Sequence, residues 1–293
     1  MSSHASAAPP VVLVFGLHDG VGRWFTRQLR DATPAATGVF MPADLPPAAV
    51  HSICEAADAG VHLVSAKRGM DGTFLEYWQM LAEAGKARLV AVHDLEPVSL
   101  DVNEAAAIAT RVLEEDILPY TLPLLDDDER VVGVLDAVTG EQWFPDGPTQ
   151  AAREDFTDAV EVERNQVLDE ADTVGLTSID AVRSGMLCPA VTVDTRSRAG
   201  VNWLARALPA RSIPAVSTVL PGDDTGSVLL AAGADGLAPG RALAVSGTDT
   251  EQVAIESLIE VTGAGLLSRL EPGRVAAALA TPRPRLGSLL VGE

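Results

Sequence analysis

Lysine is almost missing from this chain. It stands at positions 67 and 86 only, and arginine supplies the rest of the 21 basic side chains against 41 acids, for a net charge of −20. Such a surface repels a phosphate backbone within a Debye length of about 8–10 Å. Broad binding to nucleic acid or to an anionic membrane is therefore not expected. Cysteine is as scarce: Cys54 and Cys188 are the only two. They make no disulfide framework and no zinc spacing, and His51-x-x-Cys54 is a lone pair for which ordinary burial is expected. No metal site is predicted. Aromatics are 4% of the residues, so Ala, Val and Leu must fill the interior. No apolar run approaches the ~18 residues of a membrane span. The start, M-S-S-H-A-S-A-A-P-P, has neither the basic residues nor the apolar stretch of a signal peptide, and a cytoplasmic location is the expectation.

What is present is enough apolar material for sizeable cores, at 47% of 293 residues, and a length that suggests two domains. One segment stands out. Phe15 to Thr26 reads F-G-L-H-D-G-V-G-R-W-F-T, directly after the apolar run Val11–Val14 and at the start of an amphipathic stretch ending near Asp31. A buried strand, a glycine turn and a helix together present backbone N–H groups and a favourable helix field to an anion. Gly16, His18, Asp19, Gly20, Gly22 and Arg23 are the candidate cofactor-binding residues here. A phosphate-binding P-loop follows its last glycine with Lys and then Ser or Thr, the latter a Mg²⁺ ligand. This chain has Arg23 and Trp24. Arginine replaces the charge without the shape, and tryptophan ligates no metal.

Downstream, strands and helices alternate. Val39–Met41, Val61–Val64 and Arg88–Val92 read as strands. Residues 48–58, a Thr73-x-x-Glu76 capping box leading to Ala84 with Gly85 as the stop, and a helix capped by Asp101 and Glu104 lie between and after them. Continuous apolar strands alternating with helices predict an α/β fold with a mostly parallel sheet covered on both faces. Tyr120 to Trp143 reads as a hairpin or small sheet, 150–172 as an acidic helix, 177–184 as a shorter one, 189–193 as a returning strand and 201–208 as a helix. Residues 117–187 form an insertion in a first domain of 1–210. From 213 to 293, short apolar runs recur every 8–12 residues between Gly, Pro, Asp and Thr, the spacing of a small all-β barrel.

This order resembles the first two domains of bacterial elongation factor G, a translational GTPase. V-V-G-V-L-D-A-V-T-G-E-Q-W (131–143) is similar to the "GVVDLLTGKAY" segment of that family's inserted subdomain, with Leu122-Pro123-Leu124 upstream like its "LQLPIG". S-G-M-L-C-P-A-V (184–191) is similar to "AGKIVPVLCGSA". D-G-L-A-P-G-R-A-L-A-V-S-G-T (235–248), I-E-S-L-I-E-V-T-G-A-G (255–265) and E-P-G-R-V-A-A-A-L (271–279) are similar to "SGTLKPGDTVYVSGT", "IGRLLTVTGAG" and "AGPGDIVAVA" of the barrel. The resemblance implies a P-loop-NTPase-like sheet, an inserted subdomain and a translation-factor barrel. It also implies a nucleotide cleft with a guanine-reading loop at His93, Asp94 and Glu96, where the family has "NKxD".

The departures fall on the catalytic motifs. The segment before the second strand is too short for switch I. "DTPGH" becomes Asp44-Leu45-Pro46-Pro47-Ala48, which removes the γ-phosphate-sensing N–H because proline has none. It also replaces the water-orienting His with Ala48. "SA" near the last strand becomes Asp194-Thr195-Arg196. Phosphoryl transfer depends on positioning and charge neutralisation, so no catalytic residue is assigned and no GTP hydrolysis is expected. The expectation is a pseudo-GTPase that binds or regulates a protein partner, with the ribosome implied only by the resemblance. GTP binding without hydrolysis stays open. So does NAD(P), since Gly16-x-x-x-Gly20-x-Gly22 also fits the turn of short-chain dehydrogenases, although no Tyr-x-x-x-Lys is present.

Overall fold

The computed structural model describes residues 10–16, 19–32, 36–41, 43, 47–70, 72–95, 102–147, 149–151, 161–209, 240–246, 249–260, 275–279 and 289–292. The first part of the chain builds β1 (Val11–Phe15), α1 (Asp19–Asp31), β2 (Thr37–Phe40), α2 (Pro47–Ala56), β3 (Ala59–Ser65), α3 (Leu75–Glu83), β4 (Ala87–His93), α4 (Val102–Leu113) and β5 (Ile117–Pro119). A small antiparallel sheet follows, of β6 (Thr121–Leu125), β7 (Val131–Asp136) and β8 (Gln142–Trp143). Then come α5 (Glu161–Val174), α6 (Ser178–Arg183), β9 (Cys188–Thr192) and α7 (Val201–Ala207).

Six strands make one parallel sheet in the order β2-β1-β3-β4-β9-β5. The α/β class and the parallel sheet expected from the alternating pattern are observed. Side-chain alternation explains why the strands read as unbroken apolar runs. In β1, Val12 and Val14 enter one core while Val11, Leu13 and Phe15 enter the other. Both faces are covered, so both sets are apolar. The chain leaves β1 toward β2 and then turns back across β1 to β3 and β4. With right-handed crossovers, that reversal puts α1 on one face and α2, α3 and α4 on the other. The cores agree: Phe25 and Leu29 of α1 pack in the first, and Ile53, Trp78 and Ala105 in the second.

Some boundaries differ from the sequence reading. Ile117–Pro119 is not part of the insertion; it is the edge strand of the main sheet and pairs with β9. The segment expected as an insertion thus starts no earlier than Tyr120, and β9, which follows it, lies in the lane between β4 and β5. The Thr73–Glu76 box does not set the start of α3. A short 3₁₀ turn (Gly72–Phe74) precedes it, and the N-cap is Phe74, which makes no side-chain capping bond. Burial of Phe74, Tyr77 and Trp78 anchors this start. Gly85 does stop the helix, at φ +64°. Thr177 caps α6 by accepting from Asp180 N.

The C-terminal region holds β10 (Gly240–Ser246), β11 (Asp249–Glu260), β12 (Val275–Leu279) and β13 (Leu289–Gly292) in a four-stranded antiparallel sheet ordered β12-β11-β10-β13. Of the short apolar runs expected from 213 onward, the one at 227–232 lies outside the described residues.

Candidate functional site

The carboxyl ends of parallel strands, where the strand order reverses, are where open α/β sheets bind ligands. Here the reversal lies at β1, and Gly16 directly follows its carboxyl end. Gly16 takes φ +154°, and a Cβ there would sit 2.7 Å from the Leu63 carbonyl oxygen. Only glycine crosses the end of β3 this closely.

The other glycines of the motif stand elsewhere. The sequence reading placed Gly16, Gly20 and Gly22 in one turn, but α1 starts at Asp19 and takes in Gly20, Gly22 and Arg23. The link from β1 is three residues, 16–18. Gly20 is exposed with nothing within 4 Å of a Cβ, whereas a Cβ on Gly22 would lie 2.1 Å from Phe40 Cε2. Gly22 is thus small so that α1 can lie against β2. Asp19 is the first residue of the helix. Arg23 is exposed, and its carbonyl accepts from Thr26 Oγ1 (3.0 Å) and Arg27 Nε (3.1 Å). Trp24 is half-buried against the core on the α1 face. His18 and Glu96 lie outside the described residues, as does the side chain of Asp19.

The ends of β3 and β4 are laced together. His93 is 1% exposed, and its Nδ1 is 3.2 Å from Asp94 Oδ2. Ser65 Oγ donates to the same oxygen at 2.8 Å and accepts from Arg68 N at 3.2 Å. Ala66 N donates to the His93 carbonyl (2.8 Å). Asp94 is held at φ +61°, a left-handed conformation that costs a non-glycine residue about 1 kcal/mol or more. Burial works to raise the Asp94 pKa. The Ser65 hydrogen bond, His93 and Lys67 outweigh it and hold the carboxyl below its ordinary value. The carboxylate lies between hydroxyl and imidazole, so Ser65 is not the nucleophile of a relay. What this edge offers is a charged acceptor, Asp94, with the exposed cations Lys67 and Arg68 on the next loop.

At the end of β9, Asp194 Oδ2 accepts from Arg196 N (3.1 Å), Ser197 N (2.6 Å) and Ser197 Oγ (2.8 Å). That carboxylate shapes its own loop. Ser65, Lys67 and Arg68 stand at this candidate edge and were not singled out from the sequence. Their signal was position: they directly follow an apolar strand at its carboxyl end.

Other candidates resolve as structure. His62 is a core residue, 5.0 Å from the Phe15 ring. His51 is exposed beside Glu55 while Cys54 is buried, so the two do not share a site. Burial pushes the Cys54 thiol up to about 12. Trp203 is buried and donates to Asp136 Oδ2 at 2.6 Å. Asp126 to Glu129 is a turn in which Asp126 Oδ1 accepts from Asp128 N and Arg130 N. Among the described residues no group of three His, Cys, Asp or Glu could hold a metal ion, and no helix is long and apolar enough to cross a membrane.

No family model and no curated protein matches the chain. Its fold is similar to the crystal structure of an uncharacterised protein from Thermus thermophilus, with a TM-score of 0.60 and 20% sequence identity over 98% of this chain. At that identity the likeness concerns the fold alone. The chain spans about half of that protein, 54% of its length.

Proposed function

We propose that this protein is a non-hydrolysing relative of the translational GTPases, a binding or regulatory module that keeps the scaffold and has lost the chemistry. The observation that carries this reading is convergence. The four segments that resemble GTPase motifs follow β1, β2, β4 and β9, and these are parallel strands of one sheet ordered β2-β1-β3-β4-β9. Parallel strands end on the same side, so the strand ends from which these segments leave share one rim. The small sheet β6–β8 and the helices α5 and α6 lie between β5 and β9 in the chain, an order compatible with such an inserted subdomain. Fold and site are separable, and a scaffold persists by core packing after its site residues change.

The chemistry argues against turnover. Trp24 packs where a Mg²⁺ hydroxyl is needed. A three-residue link does not wrap a triphosphate as a P-loop does. Each lost electrostatic donor costs about 10²–10³ in rate, and several are lost together. The partner is a protein; a ribosomal one rests on the resemblance. A second reading, NAD(P) binding, is favoured by one contact. Gly22 lies against Phe40 of β2, and close helix–strand packing is the role of the third glycine in dinucleotide folds.

A thermal-shift panel of GTP and GDP with and without Mg²⁺, NADH and NADPH tests both. A ligand at 100 times its Kd stabilises by about 2.7 kcal/mol, or roughly 5–10 °C for an α/β domain of this size. The expected result is no Mg²⁺-dependent shift with GTP. Stabilisation by Mg²⁺–GTP overturns the proposal, and a shift with NADPH alone selects the second reading.

A further inference from the structure

A groove of about 530 Å³ opens between α4 and α5 over the edge strand β5. It lies on the flank of the sheet farthest from β2. Its apolar lining is Ala106 and Ala107 of α4, Ile117 and Pro119 of β5, and Val162 of α5. Val162 is 76% exposed, a branched aliphatic left in water at the rim. The volume falls in the ~300–1,000 Å³ range of built ligand pockets.

The walls carry charge. Asp116 and Glu163 face the groove with Arg111. Arg111 turns back along its own helix, with Nε donating to the Ala107 carbonyl at 3.4 Å. Glu163 is held in place by Asn103 Nδ2, which donates to Oε1 at 2.9 Å. The helix behind it repeats the sign: Glu161, Glu163, Asp169, Glu170 and Asp172 stand against Arg164 alone. An apolar lining edged by two carboxylates and one guanidinium, net −1 and backed by the acidic helix α5, matches a long cationic side chain whose methylenes lie on the apolar residues while its head reaches the carboxylates. The net charge of −20 steers cations toward it and repels nucleic acid.

We propose that this groove docks a short basic segment of a partner protein, in which Lys or Arg alternates with aliphatic residues. The cationic head sits at Asp116 and Glu163, and the aliphatic neighbour covers Ala107 and Val162. This goes beyond the nucleotide question and stands whether or not the rim of the sheet binds anything.

The test is fluorescence anisotropy of the full chain with a fluorescein-labelled octapeptide of alternating Lys and Leu, at ~0.15 M salt, where exposed charges are screened beyond about 8 Å. Saturable binding is expected, with none for the matching Glu–Leu peptide. Ala107→Trp, which fills the groove from an exposed position, and Asp116→Lys should each weaken binding at least tenfold. Asp172→Lys, which makes the same charge change on α5 outside the groove lining, should leave it unchanged. Equal weakening by Asp172→Lys reduces the effect to general acidity and overturns the proposal. So do an unsaturable isotherm, binding of the Glu–Leu peptide, or full affinity in Ala107→Trp.

Discussion

Replacing Gly20 and Gly22 one at a time by alanine should move stability in opposite directions. The two residues are a helix step apart and the chemical change is the same. At Gly20 the added Cβ meets nothing within 4 Å, so the substitution restricts the unfolded chain at no native cost. The expected gain is about 0.4–1 kcal/mol. At Gly22 the same gain is opposed by a Cβ placed 2.1 Å from Phe40 Cε2 and 2.2 Å from Cδ2. Moving that ring costs about 1–3 kcal/mol as overpacking. The two variants should therefore differ by about 1–3 kcal/mol. At an m-value of ~2–3 kcal/mol/M this separates their urea midpoints by roughly 0.3–1.5 M. Tryptophan emission is the right readout, because all four tryptophans (24, 78, 143 and 203) lie in the α/β part. The signal follows that part alone. Phe40→Ala completes the cycle: with the ring gone, Gly22→Ala should become as favourable as Gly20→Ala. Identical behaviour of the two glycines, or a Gly22 effect that ignores Phe40→Ala, would refute the assignment of Gly22 to packing.

Gly200 takes φ +82°, and its Cβ would lie 1.7 Å from the Thr192 carbonyl oxygen; Gly200→Ala should cost about 3 kcal/mol or more in urea unfolding. Glu115 accepts from Trp78 Nε1 (2.7 Å) and pairs with the buried Arg88 guanidinium. Glu115→Leu strands that cation and should cost about 2–4 kcal/mol, moderated by the partial exposure of Glu115 and read in the same assay. The Asp94 carboxyl titrates below its ordinary 3.8. The stability it contributes is fully present above pH 3.8 and is lost as pH falls through the folded-state value. Asp94→Asn should thus be less stable than the parent near neutrality, and the gap should close as urea midpoints are followed downward in acid.

The fold was more legible than the site. Val11–Phe15, Ala59–Ser65 and Ala87–His93 announce themselves because strands buried on both faces must be apolar at nearly every position. Gly85 stops its helix by backbone geometry that only a few residues tolerate. Thr73 and Glu76 misled because a capping pattern is local, while the start of α3 is decided by where Phe74 and Trp78 are buried. Ile117–Pro119 was misplaced because pairing with Cys188–Ala190 joins residues about seventy apart, and a three-residue run carries no periodicity. At the candidate site, Gly16, His93 and Asp94 were singled out from motif position, and they stand at the carboxyl ends of β1 and β4. Ser65 was not, since its role exists only once β3 and β4 lie side by side. Gly22 looked like a ligand residue because a small side chain serves a phosphate and a neighbouring ring equally well.

The lane filled by β9 has a consequence for how the chain matures. Sixty-eight residues separate Pro119 from Cys188. While they are being synthesised, β4 and β5 have no common neighbour, and each shows an open row of amides and carbonyls. Such rows invite pairing with other chains. Nascent protein stalled in this window should be the species most prone to aggregate, and release of Cys188–Thr192 from the tunnel should end the danger.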